Sequence, residues 1–425
     1  MSHAQLILSQ LGAITVLPWL MWHGFAVRRI VPRVLVQIIC GIALGPAVLG
    51  RFLPQVQLQL FGSAQDQFLD GVAAIGLLFF GFLTGLHLDL RVWTQGKCSV
   101  VAVAAGSFLI PWLLGAAVAT WLLGHGWHDP GGLGHSGLFV AGIASCLAVT
   151  ALPVLVEILR EMGELRTPFG QRALALAAVN DLAIWAVLSL VLAAAQSSRT
   201  WLHPVLAITL LSAVVLLVST PGRSCWRNLL AWALRHESLC SEAVLITVIA
   251  ATLTLALLTE TLGFHPLIGA FLAGAIFPRE YAAPILQRLE PLTVTVLLPF
   301  FFVTTGLHTS LVLHAPDLLR IALACGLATT AGKLLGTALP ARAIGLSWRE
   351  SCALGVAMQT KGLMEVVVLT VLRDARVIGS ETFAALVLMA LTTTLLTKPV
   401  LQLLGVGRAV PDVGTIEIGP IGALE

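Results

Sequence analysis

Asn180 and Asp181 are adjacent polar residues within ALAAVNDLAIWAVL (175–188), a stretch that is otherwise apolar. An ionisable side chain at bilayer depth is costly unless it is paired or hydrated, so its presence indicates a function. A carboxylate in such surroundings can hold either a proton or a desolvated monovalent cation, and not both. This competition suffices for exchange and predicts an ion site at Asp181 with Asn180 beside it. The alternative is a structural carboxylate that is hydrogen-bonded to a neighbouring helix.

A helix break is predicted in LFVAGIASCLAVTALPVLVEIL (138–159), where Thr150 and Pro153 lie near the centre. Proline removes a backbone donor and disfavours helical geometry in the residue before it. A broken helix exposes carbonyl groups and half-helix ends that can coordinate an ion or balance a charge. An ordinary proline kink is the alternative.

A second break is predicted in LGVAMQTKGLMEVVVLTVL (354–372), whose centre holds Gln359, Thr360, Lys361 and Gly362. Lys361 and Glu365 are spaced so that they share one helix face and can neutralise each other. This structural role and a direct role in transport both remain open.

Lys333, in TTAGKLLGTALP (329–340), is flanked by small residues and is too central in its apolar stretch to snorkel easily. Pairing with Asp181, or a position beside Asn180 as a competing cation, is the preferred interpretation. The alternative is that Lys333 only packs in the bundle, or that its side chain snorkels to the membrane surface. Four further polar residues are predicted to line vestibules or interfaces: Glu157, Glu260, His265 and Glu290.

The remainder of the 425-residue chain is apolar: 58% of its residues are hydrophobic, 11% are charged, and the mean hydropathy is +0.95. Soluble proteins carry about 25% charged residues, so the composition indicates a polytopic membrane protein. A net charge of +3 from scattered basic residues gives no indication of a nucleic-acid partner. No CxxC, HExxH, Walker or GxSxG motif is present, so neither a cofactor nor an enzyme active site is expected.

About thirteen apolar stretches are long enough to cross a bilayer, and each must be helical because lipid offers no partners for free backbone groups. They cover 6–26, 31–50, 69–88, 98–124, 136–159, 169–195, 202–219, 241–262, 264–278, 291–308, 318–339, 350–372 and 380–404. With the N-terminus outside, 17 of the 24 Lys and Arg residues fall on the inner side, five on the outer side and two within spans. This asymmetry predicts an outer N-terminus and a cytoplasmic C-terminus.

Two pairs of similar segments indicate an internal repeat: TGLHLDL (84–90) with TGLHTSL (305–311), and QIICGIALGPAVL (37–49) with PLIGAFLAGAIFP (266–278). The matching spans are separated by an odd number of spans, so the two halves run in opposite directions. Inverted repeats are typical of secondary transporters. The predicted transmembrane domain covers 1–408, with repeats at about 1–195 and 241–404, a linker helix at about 202–219 and a short tail at 409–425. Chance similarity between apolar helices is the alternative.

Four segments resemble the monovalent cation:proton antiporter-2 superfamily: TALPVLVEILREMGELRTPFGQRALALAAVNDLAIW (150–185), LGFHPLIGAFLAGAIFP (262–278), LPFFFVTTGLHTSL (298–311) and QTKGLMEVVVL (359–369). The resemblance implies an all-α membrane fold of two inverted six-helix repeats with crossed discontinuous helices. It implies that Asp181 binds the ion and the proton, with Asn180 as its partner. It places Thr150 at the unwound crossing and Lys333 facing the site. Alternating access, a homodimer and a multi-pass position in a bacterial plasma membrane are also implied.

Two departures from the family pattern qualify these expectations. The pair is Asn180–Asp181 where electrogenic relatives have two aspartates, so one titrating carboxylate remains and electroneutral exchange is expected. Glu157 stands where many relatives have arginine, which reverses a charge near the cytoplasmic mouth. The nucleotide-binding regulatory domain of some relatives has no counterpart in the 425 residues, so gating by such a domain within the chain is not expected.

The sequence therefore predicts a secondary transporter that exchanges a monovalent cation, K+ or Na+ with a slight preference for K+, for H+. Asp181 would hold the metal cation, and lipid would be the surrounding partner. The alternative is a Na+-coupled symporter or an H+-driven exporter of a small organic ion on the same fold.

Overall fold

The computed structural model of the chain describes residues 3–24, 31–46, 48–87, 97–125, 127, 136–195, 205, 209, 226, 228, 242–262, 265–278, 281–308 and 317–407. Within these ranges the regular secondary structure is helical throughout, as the composition predicts. The predicted linker helix at 202–219, apart from positions 205 and 209, and the predicted tail at 409–425 lie outside the described residues.

In chain order the helices are α1 (His3–Gly24), α2 (Arg33–Leu44), α3 (Leu49–Phe52), α4 (Pro54–Phe61), α5 (Ser63–His87), α6 (Lys97–Gly124), α7 (Ser136–Ala148), α8 (Leu152–Glu161), α9 (Pro168–Ala195), α10 (Glu242–Thr261), α11 (Pro266–Ile276), α12 (Ala282–Leu292), α13 (Leu298–His308), α14 (Leu318–Ala343), α15 (Trp348–Met358), α16 (Leu363–Asp374) and α17 (Ser380–Leu403). A π-helical turn, Thr293–Leu297, joins α12 to α13.

Ten helical segments of the described chain are long and apolar enough to cross a membrane. The shorter apolar helix α11 and the interrupted pair α15–α16 account for two more of the predicted spans. The remaining predicted span is the linker helix, so the full count of thirteen stays a prediction. A multi-pass membrane protein is confirmed.

The described helices form two bundles. The core bundle contains α6–α9 and α14–α17, and the scaffold bundle contains α1, α2, α5 and α10–α13. The larger contacts between them are made by α2 and α5 against α8, by α13 against α16, and by α17 against α2. Most packing therefore lies within a bundle, and α8 is the core helix with the most extensive contact to the scaffold.

Glycines of the repeated motifs hold the scaffold bundle together. A Cβ on Gly306, from TGLHTSL, would lie 2.8 Å from the Cα of Gly41 on α2. A Cβ on Gly85, from TGLHLDL, would lie 2.7 Å from the backbone nitrogen of Ala275 on α11 and would overlap the Phe271 carbonyl oxygen. Each motif thus packs against the glycine-rich helix of the other half, which is the arrangement expected of inverted repeats.

A similar close contact joins α6 to α14 at the centre of the core bundle. A Cβ on Gly106 would overlap the carbonyl oxygen of Gly336, and a Cβ on Gly336 would overlap that of Gly106. A Cβ on Gly332 would lie 2.5 Å from the Cα of Pro111. The fourth and eleventh predicted spans therefore cross with their backbones in contact, and α14 carries Lys333 into the core.

Candidate functional site

The first break separates α7 from α8. α7 ends at Ala148 and α8 begins at Leu152, with Pro153 in its first turn, where a missing backbone donor does no harm. Thr150 lies in the non-helical link and is fully buried. In the most hydrophobic 18-residue stretch of this span, 89% of the residues are buried inside the protein. Burial in protein is what allows irregular backbone at membrane depth.

The second break separates α15 from α16, and Gln359, Thr360, Lys361 and Gly362 form the link. Gly362 has φ +149, a conformation that residues with a side chain rarely adopt. A Cβ at this position would also lie 2.7 Å from Val154 Cγ2. Glycine is therefore required by backbone conformation and by the close approach of α8.

The two links cross and satisfy each other's backbone groups. The Ala151 amide donates to the Thr360 carbonyl at 2.8 Å, and the Thr150 hydroxyl donates to the Met358 carbonyl at 2.9 Å. The Thr360 hydroxyl donates to the Ala357 carbonyl at 2.8 Å within its own chain segment. The crossed discontinuous helices predicted from the sequence are thus present, and each one stabilises the other.

Two buried lysines donate to the carbonyl end of α7. Lys361 Nζ donates to the carbonyls of Cys146, Leu147 and Val149 at 2.9, 3.2 and 3.3 Å. Lys333 Nζ donates to the Ala148 carbonyl at 2.5 Å and to the Thr150 hydroxyl oxygen at 2.8 Å. The last carbonyls of a helix have no partner within it and carry partial negative charge, so cations are stabilised there.

These contacts define the surroundings of Lys333. The sequence favours pairing with Asp181 or a position beside Asn180 as a competing cation. The hydrogen bonds of Lys333 go to Ala148 and Thr150, and no ion pair joins it to Asp181 within the described residues. Lys333 still interacts with Asp181 electrostatically. Its role at the site stays a prediction, whereas its donation to a carbonyl at the end of α7 is a contact that a side-chain pattern does not reveal.

Lys361, in the link before α16, also pairs with Glu365, four positions further along the chain, as the spacing predicts. Lys361 Nζ lies 3.5 Å from Glu365 Oε2, and both side chains are fully buried. Glu365 lies in the first turn of α16, where a negative charge is stabilised by the helix dipole. The ion pair that the spacing predicts is therefore present, and Lys361 adds to it the contacts with the end of α7.

Asn180 and Asp181 lie in the uninterrupted helix α9, and their relative exposures are 1% and 5%. Asn180 Nδ2 donates to the hydroxyl oxygen of Ser107 on α6 at 2.9 Å. The Oδ1 atoms of Asn180 and Asp181 have no hydrogen-bond partner among the described residues. Buried polar atoms are normally paired, so two unpaired acceptor oxygens on adjacent residues indicate a site for a cationic or proton-donating species.

A basin of about 790 Å³ lies between α8–α9 and the scaffold helices α5 and α12. Arg160 links two carboxylates here: its Nη1 lies 2.9 Å from Glu157 Oε1 and its Nη2 lies 3.1 Å from Glu290 Oε1. His87 Nε2 lies 3.8 Å from Glu290 Oε2. Glu157 and Glu290, predicted as vestibule or interface residues, therefore belong to one charged cluster that joins the bundles.

At the opposite end of the helices, the His265 ring stacks on Trp185, with centroids 5.1 Å apart. Trp185 lies one turn beyond Asp181 on α9, and His265 precedes α11 of the scaffold. His265 is therefore an interface residue, whereas Glu260 is exposed near the end of α10.

Two further ion pairs lie within the core bundle. Arg172 on α9 pairs with Glu350 on α15, and Lys398 on α17 pairs with Glu161 on α8 at 2.7 Å. Both pairs connect helices of the same bundle, so they stabilise the core bundle and do not hold it to the scaffold bundle.

Sequence reasoning missed Ser107 and Arg160. A serine within an apolar helix normally bonds its own backbone, and an arginine near a span end normally faces water, so neither residue type was informative alone. Among the described residues no group of three or more His, Cys, Asp or Glu side chains could hold a metal ion. The oxygens of Asp181 and Asn180 stay the predicted cation ligands.

Crossed half-helices in a multi-pass membrane bundle that also buries a carboxylate define a membrane transporter rather than an enzyme. A sequence profile described as "Sodium/hydrogen exchanger, transmembrane" matches residues 12–403, and the chain belongs to this family. The resemblance to cation/proton antiporters is thereby confirmed.

Named relatives and a solved structure agree with this membership. The chain is 34% identical over 386 residues to Cation/H(+) antiporter 15 of Arabidopsis thaliana, which covers 88% of this chain and 45% of that protein. It is 31% identical over 374 residues to Na(+)/H(+) antiporter NhaS4 of Synechocystis, covering 87% of this chain and 90% of the relative. The chain therefore spans about half the length of the plant relative. The structure of the sodium proton antiporter MjNhaP1 from Methanocaldococcus jannaschii shares the fold, with a TM-score of 0.68, 16% identity, and 97% of this chain and 100% of that chain covered.

Proposed function

We propose that this chain exchanges a monovalent cation for H+ and that Asp181 is the binding group shared by the two. The observation that carries the proposal is the buried, unpaired Oδ1 of Asp181 beside the unpaired Oδ1 of Asn180. A desolvated carboxylate oxygen accepts a proton or coordinates an alkali cation, and one occupant excludes the other. Both relatives named above carry cation/proton or sodium/proton antiport in their names, which supports the same activity.

The buried charges favour electroneutral exchange. Asp181 and Glu365 are balanced by Lys333 and Lys361, and both lysines are engaged at the end of α7. A proton or a monovalent cation at Asp181 adds the same single positive charge. Because Asn180 cannot titrate, the loaded site carries the same net charge in both directions of the cycle.

The lysines and the crossing hold the site in place during this cycle. Thr150 accepts from Lys333 and donates to the Met358 carbonyl of α15, so it links the two broken helices. Lys361 and Glu365 maintain the second break. The role proposed for Gln359, Thr360, Gly362 and Pro153 is to end and restart the helices rather than to bind the ion.

Alternating access would require the core bundle to move against the scaffold. The basin between the bundles would give access to Asp181 from the side that the Lys and Arg distribution predicts to be cytoplasmic. The Trp185–His265 contact would close the opposite side. We include in the proposal an outer N-terminus, a position in a bacterial plasma membrane and a homodimer.

The test is dissipation of a preset pH gradient in proteoliposomes on addition of KCl, NaCl or LiCl. We expect a cation, with K+ slightly preferred, to dissipate the gradient with wild type and not with Asp181→Asn. Asp317→Asn is the matched control, because Asp317 is an exposed carboxylate at the start of α14. Dissipation that survives in Asp181→Asn would remove Asp181 from the mechanism. Absence of dissipation by every cation at acidic, neutral and alkaline pH would favour transport of an organic ion.

A further inference from the structure

Two buried amides of the core bundle are held in the same way. Asn180 Nδ2 donates to Ser107 on α6, and Gln359 Nε2 donates to the Thr330 hydroxyl on α14 at 2.8 Å. The carbonyl oxygen of each amide has no hydrogen-bond partner within the described part of the chain. α6 and α14 are the predicted matching spans of the two repeats. In each half, a hydroxyl group on this helix accepts a hydrogen bond from the nitrogen of a buried amide.

The two amides differ in their surroundings. Gln359 lies with Thr330 along a small cavity of about 130 Å³ between α14, α15 and α17. Asn180 instead adjoins the buried carboxylate of Asp181 on the same helix. Its oxygen is therefore the one placed to contribute to the proposed ion site.

We propose that Ser107 is a positioning residue for cation binding, an inference that rests on the proposed function. By accepting the hydrogen bond from Asn180 Nδ2, the Ser107 hydroxyl oxygen holds the amide nitrogen toward α6 and leaves the carbonyl oxygen as a ligand for the cation at Asp181. An amide nitrogen carries only donors and would repel a cation, whereas an amide oxygen is a suitable ligand for one.

The geometry makes Ser107 suited to this role. Its relative exposure is 0%, and it belongs to α6, which is packed backbone to backbone against α14 at Gly106 and Gly336. Its hydroxyl is therefore fixed to a rigid part of the core bundle. Asn180 is rigid in the same way because α9 is uninterrupted at this point.

The inference separates cation binding from proton binding. A proton on Asp181 needs no second ligand, whereas a desolvated cation gains from an additional oxygen. Ser107→Ala should therefore weaken binding of the cation and leave binding of the proton at Asp181 unaffected. We expect the KM for the cation to rise about five- to tenfold, the effect of one net hydrogen bond, while the maximal rate changes less than about twofold.

A pH profile provides the readout that a purely structural role would not change. At a cation concentration that saturates wild type, protons compete more successfully when the cation binds more weakly. The acid limb of the exchange rate should therefore move to higher pH in Ser107→Ala. A variant that was merely less well folded would lose rate at every pH without moving this limb.

A double-mutant cycle tests whether Ser107 acts through Asn180. Ser107→Ala is compared in the wild-type and Asn180→Ala backgrounds, and we expect no further rise in KM in the second. Ser145→Ala is the matched control: Ser145 is also fully buried in the core bundle, but its hydroxyl donates to Ala141 on its own helix at 2.7 Å. Ser107→Thr retains the hydroxyl and should keep a KM near that of wild type.

The inference is overturned if Ser107→Ala matches Ser145→Ala in KM and pH profile, or if its effect on KM is undiminished in the Asn180→Ala background. If Ser107→Ala does not fold, Ser107→Cys, a weaker acceptor of similar size, takes its place and should raise KM by a smaller factor. An unchanged KM in that variant would likewise reject the role. Exchange that persists in Asp181→Asn would instead reject the proposed function, so the two failures are distinguishable.

Discussion

At the scale of single residues, the crossing depends on donors for a helix end that lies inside the membrane. Lys361 donates to the carbonyls of Cys146 and Leu147 in α7 and of Val149 in the link, and it balances the charge of Glu365, so it has more partners than any other single charge at the site described above. A neutral substitute would remove these donors and leave the Glu365 carboxylate without its ion-pair partner. The structural and transport roles of Lys361 are therefore difficult to separate by activity alone, and stability is the more direct measure.

We expect Lys361→Met to destabilise the protein more than Glu365→Gln. Removing one partner of a buried pair costs about 3–5 kcal/mol because an uncompensated charge remains, and the methionine also removes one hydrogen-bond donor from each of three carbonyls. Glutamine at 365 leaves Lys361 with its α7 contacts. Thermal unfolding in detergent, followed by tryptophan fluorescence, measures the difference.

Arg320→Met serves as the control, because Arg320 forms an exposed pair with Asp317 at 3.9 Å. Exposed pairs contribute about 0–1 kcal/mol, so its unfolding temperature should stay close to that of wild type. Equal unfolding temperatures for Lys361→Met and Arg320→Met would contradict the structural role of Lys361.

A second prediction at this scale concerns Asn180. Asn180→Asp adds a titrating carboxylate beside Asp181, so two protons can be exchanged for one cation and net charge moves. We expect cation-driven exchange to generate a membrane potential in this variant and not in wild type, as measured with a potential-sensitive dye in proteoliposomes. A potential generated equally by wild type would refute electroneutral exchange.

At the scale of helices, close packing depends on the absence of a side chain at a few positions. Gly85 and Gly71 both lie on α5, yet only Gly85 faces another backbone: a Cβ there would overlap the Phe271 carbonyl of α11, whereas a Cβ at Gly71 meets nothing within 4 Å. Backbone cannot move aside without separating the helices, so the two positions tolerate a methyl group differently.

Gly85→Ala should therefore lower the unfolding temperature, by the equivalent of about 1–3 kcal/mol for an overpacked contact. Gly71→Ala should leave it unchanged or raise it, because alanine is favoured over glycine in a helix by up to about 1 kcal/mol. Detergent-solubilised protein is compared by thermal unfolding. The packing argument fails if the two variants shift the unfolding temperature alike.

At the scale of the whole molecule, two bundles meet through a limited set of contacts, among them the Arg160–Glu290 ion pair in the basin. Arg160 on α8 pairs with Glu290 on the scaffold, whereas Arg172 and Glu350 pair within the core bundle. If the core moves as a unit, the first pair must separate during each cycle and the second need not.

Thiol bridging tests this motion. In a cysteine-free background that retains exchange, Arg160→Cys with Glu290→Cys should lose exchange when a bifunctional thiol reagent with a reducible linker joins the two positions, and a reductant should restore it. Arg172→Cys with Glu350→Cys should retain exchange when bridged in the same way. Undiminished exchange after complete bridging of the first pair would rule out movement between the bundles.

Much of this protein could be predicted from its sequence because the signals are local. Long apolar stretches imply membrane helices, and TALP and QTKG interrupt two of them. A carboxylate at position 181 is conspicuous because its surroundings are apolar. These features follow from the chemistry of neighbouring residues along the chain, so the membrane class, the breaks and the Asn180–Asp181 candidate were accessible without a structure.

Only the tertiary structure assigned partners. Lys333 reaches Ala148 across 185 positions of sequence, and Asn180 reaches Ser107 across 73. The acceptor for Lys333 is a backbone carbonyl, which every residue possesses and no residue type marks. The division into two bundles likewise depends on which helices meet, and apolar helices in lipid are alike in composition. What a residue is can be inferred from the sequence, but what it touches depends on the packing of helices that are distant along the chain.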